Sequence, residues 1–161
     1  MLRGVSPLSG LATLRQARTR RASSWDRTGG NRDRLTIAPG DTATLAEIEG
    51  AGCIRHIWFT IACEEKLYLR KLVLRMYWDG EKAPSVETPV GDFFGVGHGL
   101  AAHFVSLPLN MTGGPGRLSR AGMNCYFPMP FAQGARITIE NPCATPVRAF
   151  YYYIDYETLA A

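Results

Sequence analysis

Hydrophobic side chains recur at every second position through much of this chain. Ile57, Phe59 and Ile61 share one parity, and Leu72, Leu74 and Met76 share another opposite Lys71, Val73, Arg75 and Tyr77. A period of two lines one face of a β-strand, so residues 54–62 and 69–78 are each predicted to bury a single face. Weaker alternation predicts further strands at 35–38, 42–48, 85–88, 103–107, 123–127, 135–140 and 147–156. Pro39-Gly40-Asp41 and Asp79-Gly80-Glu81 supply turn chemistry between strands. Pro128 and Pro130 lack the amide hydrogens of a central ladder, which sends Phe127 to Phe131 to a sheet edge or out of the sheet. Ahead of the β-pattern, residues 7–19 place Leu8, Leu11 and Leu14 at three-residue spacing, the signature of a short amphipathic helix. Many short strands joined by loops of unequal length predict an all-β sandwich with long crossovers.

With 161 residues the chain fits one domain able to bury roughly 70% of its unfolded surface. The net charge of +4 is unevenly spread. Arg3, Arg15, Arg18, Arg20 and Arg21 crowd the first 22 residues, which hold no acid, while the remainder is close to neutral. The later arginines are too scattered for a continuous basic face, which argues against a nucleic-acid partner. The Arg-rich start has the composition of an organelle transit peptide, but it runs directly into the next motif and reads as mature sequence. No apolar run approaches about 18 residues and no signal-peptide pattern is present, so no membrane span is expected. Cys53 and Cys63 bracket one strand of roughly 33 Å and cannot bridge each other. Bridges between strands stay open, but Cys53, Cys63, Cys125 and Cys143 sit in apolar segments and read as buried thiols, suiting a reducing, cytoplasmic location.

Three segments concentrate chemistry. Asp26, Arg27, Asn31 and Asp33 surround Gly29 and Gly30 beside Trp25, a set suited either to hydroxyl-rich ligands or to an ion-paired loop. Residues 87–98 are broken by Pro89, Gly91, Gly95 and Gly97, and read as a loop presenting Asp92, Phe93, Phe94 and His98. Glu87 and Asp92 could serve as an acid and base pair if brought to roughly 5–9 Å. Equally, Asp92 can tie down the loop while the phenylalanines plug the sandwich. Residues 124–131 offer Asn124 and Tyr126 for sugar hydroxyls and ring faces, with Phe127, Met129 and Phe131 as core or subunit contacts. Cys125 has no base beside it in sequence, though His56 or His98 could approach it in space. His56, inside an alternating strand, reads as a packed or surface histidine. His98 and His103 lack metal-site spacing, and the glycine loops at 91–99 and 113–116 lack the lysine and helix of a phosphate loop, so neither metal nor cofactor is expected.

Taken together, Ser-Ser-Trp-Asp-Arg-Thr-Gly-Gly-Asn at 23–31, Ile-Arg-His-Ile-Trp-Phe-Thr at 54–60, Arg-Met-Tyr-Trp-Asp-Gly at 75–80, Val-Gly-Asp-Phe-Phe-Gly at 90–95 and Asn-Cys-Tyr-Phe-Pro-Met-Pro-Phe at 124–131 carry a resemblance in matching order. From about Leu8 to Glu157 the chain resembles the amino-terminal half of glycoside hydrolase family 172, formerly domain of unknown function 2961. That family has two successive jelly rolls, self-assembles, and acts on fructofuranose- or arabinofuranose-containing sugars. The resemblance implies a single antiparallel jelly-roll sandwich at 23–161 behind an amino-terminal arm with a short helix at 1–22, without the family's second jelly roll. It also implies that Trp25, Asp26, Arg27, Asn31, Asp92, Phe93, Phe94, His98, Asn124 and Tyr126 lie near a saccharide pocket or the oligomer contacts that shape it. The family's two catalytic glutamates fall in a Gly-Glu-Gly-Asp-Glu and a Gly-Thr-Glu-Asp-Tyr-Phe context, and neither occurs in these 161 residues. Glu87 and Glu140 match neither context. The expectation is therefore a noncatalytic domain for sugar recognition or oligomer assembly, with a homo-oligomer, a trimer by family pattern, and a furanose-containing saccharide as partners. The alternatives are the truncated or split half of a fructofuranosidase or arabinofuranosidase, partnered by a second-jelly-roll polypeptide, and a purely structural self-assembling protein.

Overall fold

The computed structural model describes residues 14–113 and 121–159. Among these residues twelve strands form two antiparallel sheets packed face to face. They are Ala17–Ser23 (β1), Leu35–Ile37 (β2), Thr42–Glu49 (β3), Gly52–Cys63 (β4), Val73–Trp78 (β5), Val86–Pro89 (β6), Phe104–Val105 (β7), Leu109–Thr112 (β8), Gly122–Cys125 (β9), Met129–Phe131 (β10), Gly134–Glu140 (β11) and Val147–Leu159 (β12). Single helical turns occupy Tyr68–Lys71 (α1) and Val90–Phe93 (α2). The larger sheet runs β1-β12-β4-β9-β8-β7, and the smaller runs β3-β11-β5-β6. β2 shares the outer edge of β12 with β1, while β10 shares an edge of β4 with β9. The central orders β2-β12-β4-β9 and β3-β11-β5-β6 interleave the strands of the two sheets as a jelly roll does.

The alternating residues close the sandwich as their parity requires. Ile57, Phe59 and Ile61 of β4 meet Leu72, Leu74, Met76, Ile137, Ile139, Phe150 and Ile154 in one core, each at most 1% exposed. Phe59 lies at its centre, edge-on to Phe94 at 5.3 Å and to Phe150 at 4.9 Å between ring centroids. Asn141 ties the ends of the sheets together. Its Nδ2 donates toward the carbonyls of Ile37, Ala38 and Thr145, and its Oδ1 accepts from the Cys143 amide. All four cysteines are free thiols, and only Cys63 is not fully buried.

Three sequence expectations are corrected. Most of the predicted helix at 7–19, including Leu8 and Leu11, lies outside the described residues, but from Ala17 onward the chain is strand and Leu14 is exposed. Beyond Phe150 the outer edge of β12 would otherwise leave its amides and carbonyls unpaired. β1 satisfies them, pairing Ala17 with Leu159 through Ser23 with Tyr153. A boundary at 22/23 therefore falls inside β1. The strand predicted at 69–78 begins only at Val73, because α1 turns both Tyr68 and Leu69 into the core. The predicted loop at 87–98 opens instead with β6 and α2. Gly91 permits that turn to sit against α1, since a Cβ there would lie 2.9 Å from the Leu69 carbonyl oxygen.

Candidate binding face on the larger sheet

A β-bulge in β4 builds the site. His56 pairs with Asp155 and Ile54 with Tyr156, which leaves Arg55 without a partner on β12. The extra residue keeps Ile54 and Ile57 both buried and turns Arg55 and His56 together onto the outer face. On the opposite edge of β4, β10 pairs with Gly52 to Ile54 and β9 with Ile57 to Phe59, so the bulge lies in the gap between them. Tyr126 to Pro128 cross that gap, and the Tyr126 ring stacks on His56 at 4.6 Å and 9°.

From His56 a connected network spreads in two directions. Its Nε2 lies 2.9 Å from Asn124 Oδ1, while Asn124 Nδ2 donates to Asn110 Oδ1 at 2.8 Å. On the other side Nδ1 lies 3.2 Å from Asp155 Oδ2, and Arg21 grips both Asp155 oxygens at 2.5 and 3.0 Å. Burial alone would raise the Asp155 pKa, but hydrogen bonds and charge from Arg21 and His56 outweigh it and hold the carboxyl below its usual range. Next along β12, Glu157 is fixed by Arg15 at 2.6 Å and by the bulged Arg55 at 2.8 Å.

Arg21 also covers the Tyr153 ring at 4.3 Å, and Tyr153 stacks on Trp58 at 4.9 Å and 25°. Trp58, Tyr153 and Tyr151 form the floor and wall of a slot of about 140 Å³, closed by Ser24, Trp25 and Asp33. Trp25 is 56% exposed and carries Arg27 over its ring at 5.8 Å. The loop holding Trp25 is braced from within. Asp26 accepts from the Thr28 amide and hydroxyl and from the Arg32 amide, bonds that lower its pKa, while the Asp26 amide donates to Asp33 Oδ1 at 2.7 Å. Ser24 Oγ donates to the Asp33 carbonyl and accepts from the Tyr152 amide, which anchors the loop to β12. Asn31 is exposed with φ of 58°, a left-handed conformation that asparagine tolerates.

The ten residues singled out in the sequence thus separate. Trp25, Asp26, Arg27 and Asn31 belong to the slot and its loop, and Asn124 and Tyr126 to the His56 network. Asp92, Phe93, Phe94 and His98 gather around α2 instead. Phe94 is fully buried in the core, where it has no access to a solute, and Phe93 leans on it at 5.0 Å. Asp92 binds Arg70, whose Nη1 also donates to the Gly97 carbonyl and so clamps the glycine loop onto α1. His98 borders a separate, mostly apolar concavity of about 480 Å³ with Val96, Leu100 and Phe104. Glu87 is engaged by Arg75, not by a second carboxylate. His56, Trp58, Tyr151, Tyr153, Asp155 and Arg21 were not among the sequence candidates. Their signal lay in the outward parity of two strands, His56-Trp58 on β4 and Tyr151-Tyr153-Asp155-Glu157 on β12, where aromatic and charged residues replace the usual scattered polar ones.

The family model for the GH172 first β-sandwich domain matches residues 15–161. The chain belongs to this family. That match takes in both sheets from before β1 through β12, so the slot and the His56 network are features of a GH172 domain. No curated protein matches this GH172 chain.

Proposed function

We propose that this GH172 domain is a noncatalytic saccharide-recognition domain whose ligand is a furanose-containing sugar. The observation that carries the reading is the slot between Trp25, Trp58, Tyr151 and Tyr153. Flat aromatic faces suit the C–H faces of a sugar ring, and Asp33, the tyrosine hydroxyls and the nearby Arg21 supply directional partners for hydroxyls. At about 140 Å³ the slot is smaller than the roughly 300 Å³ of the smallest drug-sized pockets, which suits one ring and not an extended chain. The nearby carboxylates support binding over hydrolysis. A glycosidic general acid needs a raised pKa, whereas Asp26 and Asp155 are both lowered by their donors.

Trp25 and Trp58 report on the slot directly. Titration with fructofuranosyl and arabinofuranosyl oligosaccharides should change tryptophan fluorescence saturably, and Trp25→Ala or Tyr153→Ala should weaken binding about tenfold or more. An unchanged signal at millimolar sugar, or equal binding by both variants, would refute the reading. Assembly is a second role, favoured by Leu100, Val105 and Leu107, which remain exposed around β7 at the edge of the larger sheet. Light scattering across a concentration series measures it, and a monomer at all concentrations would remove that role.

A further inference from the structure

The edge strand β1 carries charge that the saccharide slot does not use. Its outward parity holds Arg21, already engaged by Asp155, whereas Arg18 and Arg20 take the opposite parity, paired with Thr158 and Tyr156. That parity faces the core elsewhere in the sheet, yet both arginines are exposed. With Arg15, Gln16, Thr158 and Leu159 they line a concavity of about 570 Å³. Neither Arg18 nor Arg20 makes an ion pair among the described residues, and the nearest acids on β12 are occupied, Asp155 by Arg21 and His56 and Glu157 by Arg15 and Arg55. Two residues along a strand separate the two stems by roughly 7 Å. Each guanidinium presents a planar fork of donors matched to an oxyanion.

We propose that this groove binds a ligand carrying two oxyanion groups, one on Arg18 and one on Arg20. Carboxylates of an acidic saccharide and phosphates share that chemistry, so calorimetric titrations with a digalacturonate and with pyrophosphate distinguish the sources. The expected result is saturable binding of at least one, weakened about tenfold or more in the R18Q/R20Q double variant and progressively by added salt. R18K/R20K, which keeps the charge but loses the fork, should fall between the two. Trp25→Ala should leave anion binding intact, which separates this site from the saccharide slot. Saturable heat from neither anion, equal binding by R18Q/R20Q, or equal binding of a neutral disaccharide overturns the proposal. So does a wild-type chain that binds neither anion beside an R18Q/R20Q variant that self-associates, because the arginines would then be guards against edge-to-edge pairing.

Discussion

Replacing Asn141 with alanine removes the side chain that staples the β2–β3 turn to the β11–β12 connection. Asn141 is fully buried, and its contacts to the carbonyls of Ile37, Ala38 and Thr145 and from the Cys143 amide all span 3.0 to 3.2 Å. The Ala38 and Thr145 contacts are only part-buried, so water can replace them. The Ile37 carbonyl and Cys143 amide contacts are buried, and each group stranded there costs about 1–3 kcal/mol. Asn141→Ala should therefore lose about 3 kcal/mol, read in urea as a lower midpoint with an unchanged slope. At the entropy of unfolding typical of a chain this size, the melting temperature should fall by roughly 9 °C. Asn141→Asp should be worse at neutral pH, because it aims a carboxylate at three carbonyl oxygens, and should partly recover in acid once that group can donate. A loss under about 1 kcal/mol for Asn141→Ala, or an Asp variant no worse than the Ala variant at neutral pH, would refute the reasoning.

Further outcomes follow from the same geometry. Asp155 has a depressed folded-state pKa, so its contribution to stability is present above the unfolded value of about 3.9 and is lost as pH falls through the lower folded value. Asp155→Asn should flatten the acid limb of a stability profile measured from pH 6 downward, and an unchanged limb would count against this coupling. Phe94→Ala should cost about 3–5 kcal/mol by opening a cavity beside Phe59, whereas Asp92→Asn, at a half-exposed ion pair, should cost at most about 1 kcal/mol. Reversal of that order in denaturant melts would move Asp92 out of its bracing role. Incubated with fructofuranosides and arabinofuranosides, the 161-residue chain should release no sugar; hydrolysis abolished by Glu87→Gln or Asp92→Asn would reverse the noncatalytic reading.

The hydrophobic alternation made the sandwich legible because burial of one strand face is a local, period-two property. It could not reveal β1, whose sequence gains a strand only by meeting β12 more than a hundred residues later. Pro128 and Pro130 did mark an edge, since among the described residues β10 pairs with β4 alone. The candidate site was harder to read because a bulge obeys no local pattern. Arg55 and His56 look like consecutive residues on opposite faces, and only the register slip against β12 brings both outward. Trp25 was visible as a lone aromatic among polar residues, but its slot partners come from β4 and β12. Phe94 illustrates the reverse error: an aromatic beside glycines and an acid looked presented to solvent, while its turn pointed it inward.

The pairing of Ala17 with Leu159 has a mechanical consequence. These two residues are Cα partners at the open end of the β1–β12 ladder, so tension applied between them acts across the strands and not along them. Such a load falls on one backbone hydrogen bond at a time and peels the ladder open like a zipper, beginning beside the Arg15–Glu157 clasp. The hydrophobic interior therefore contributes little to resistance at the start of the pull. Gripped by these two ends, the domain would be a compliant link, yielding at its edge before its core is strained.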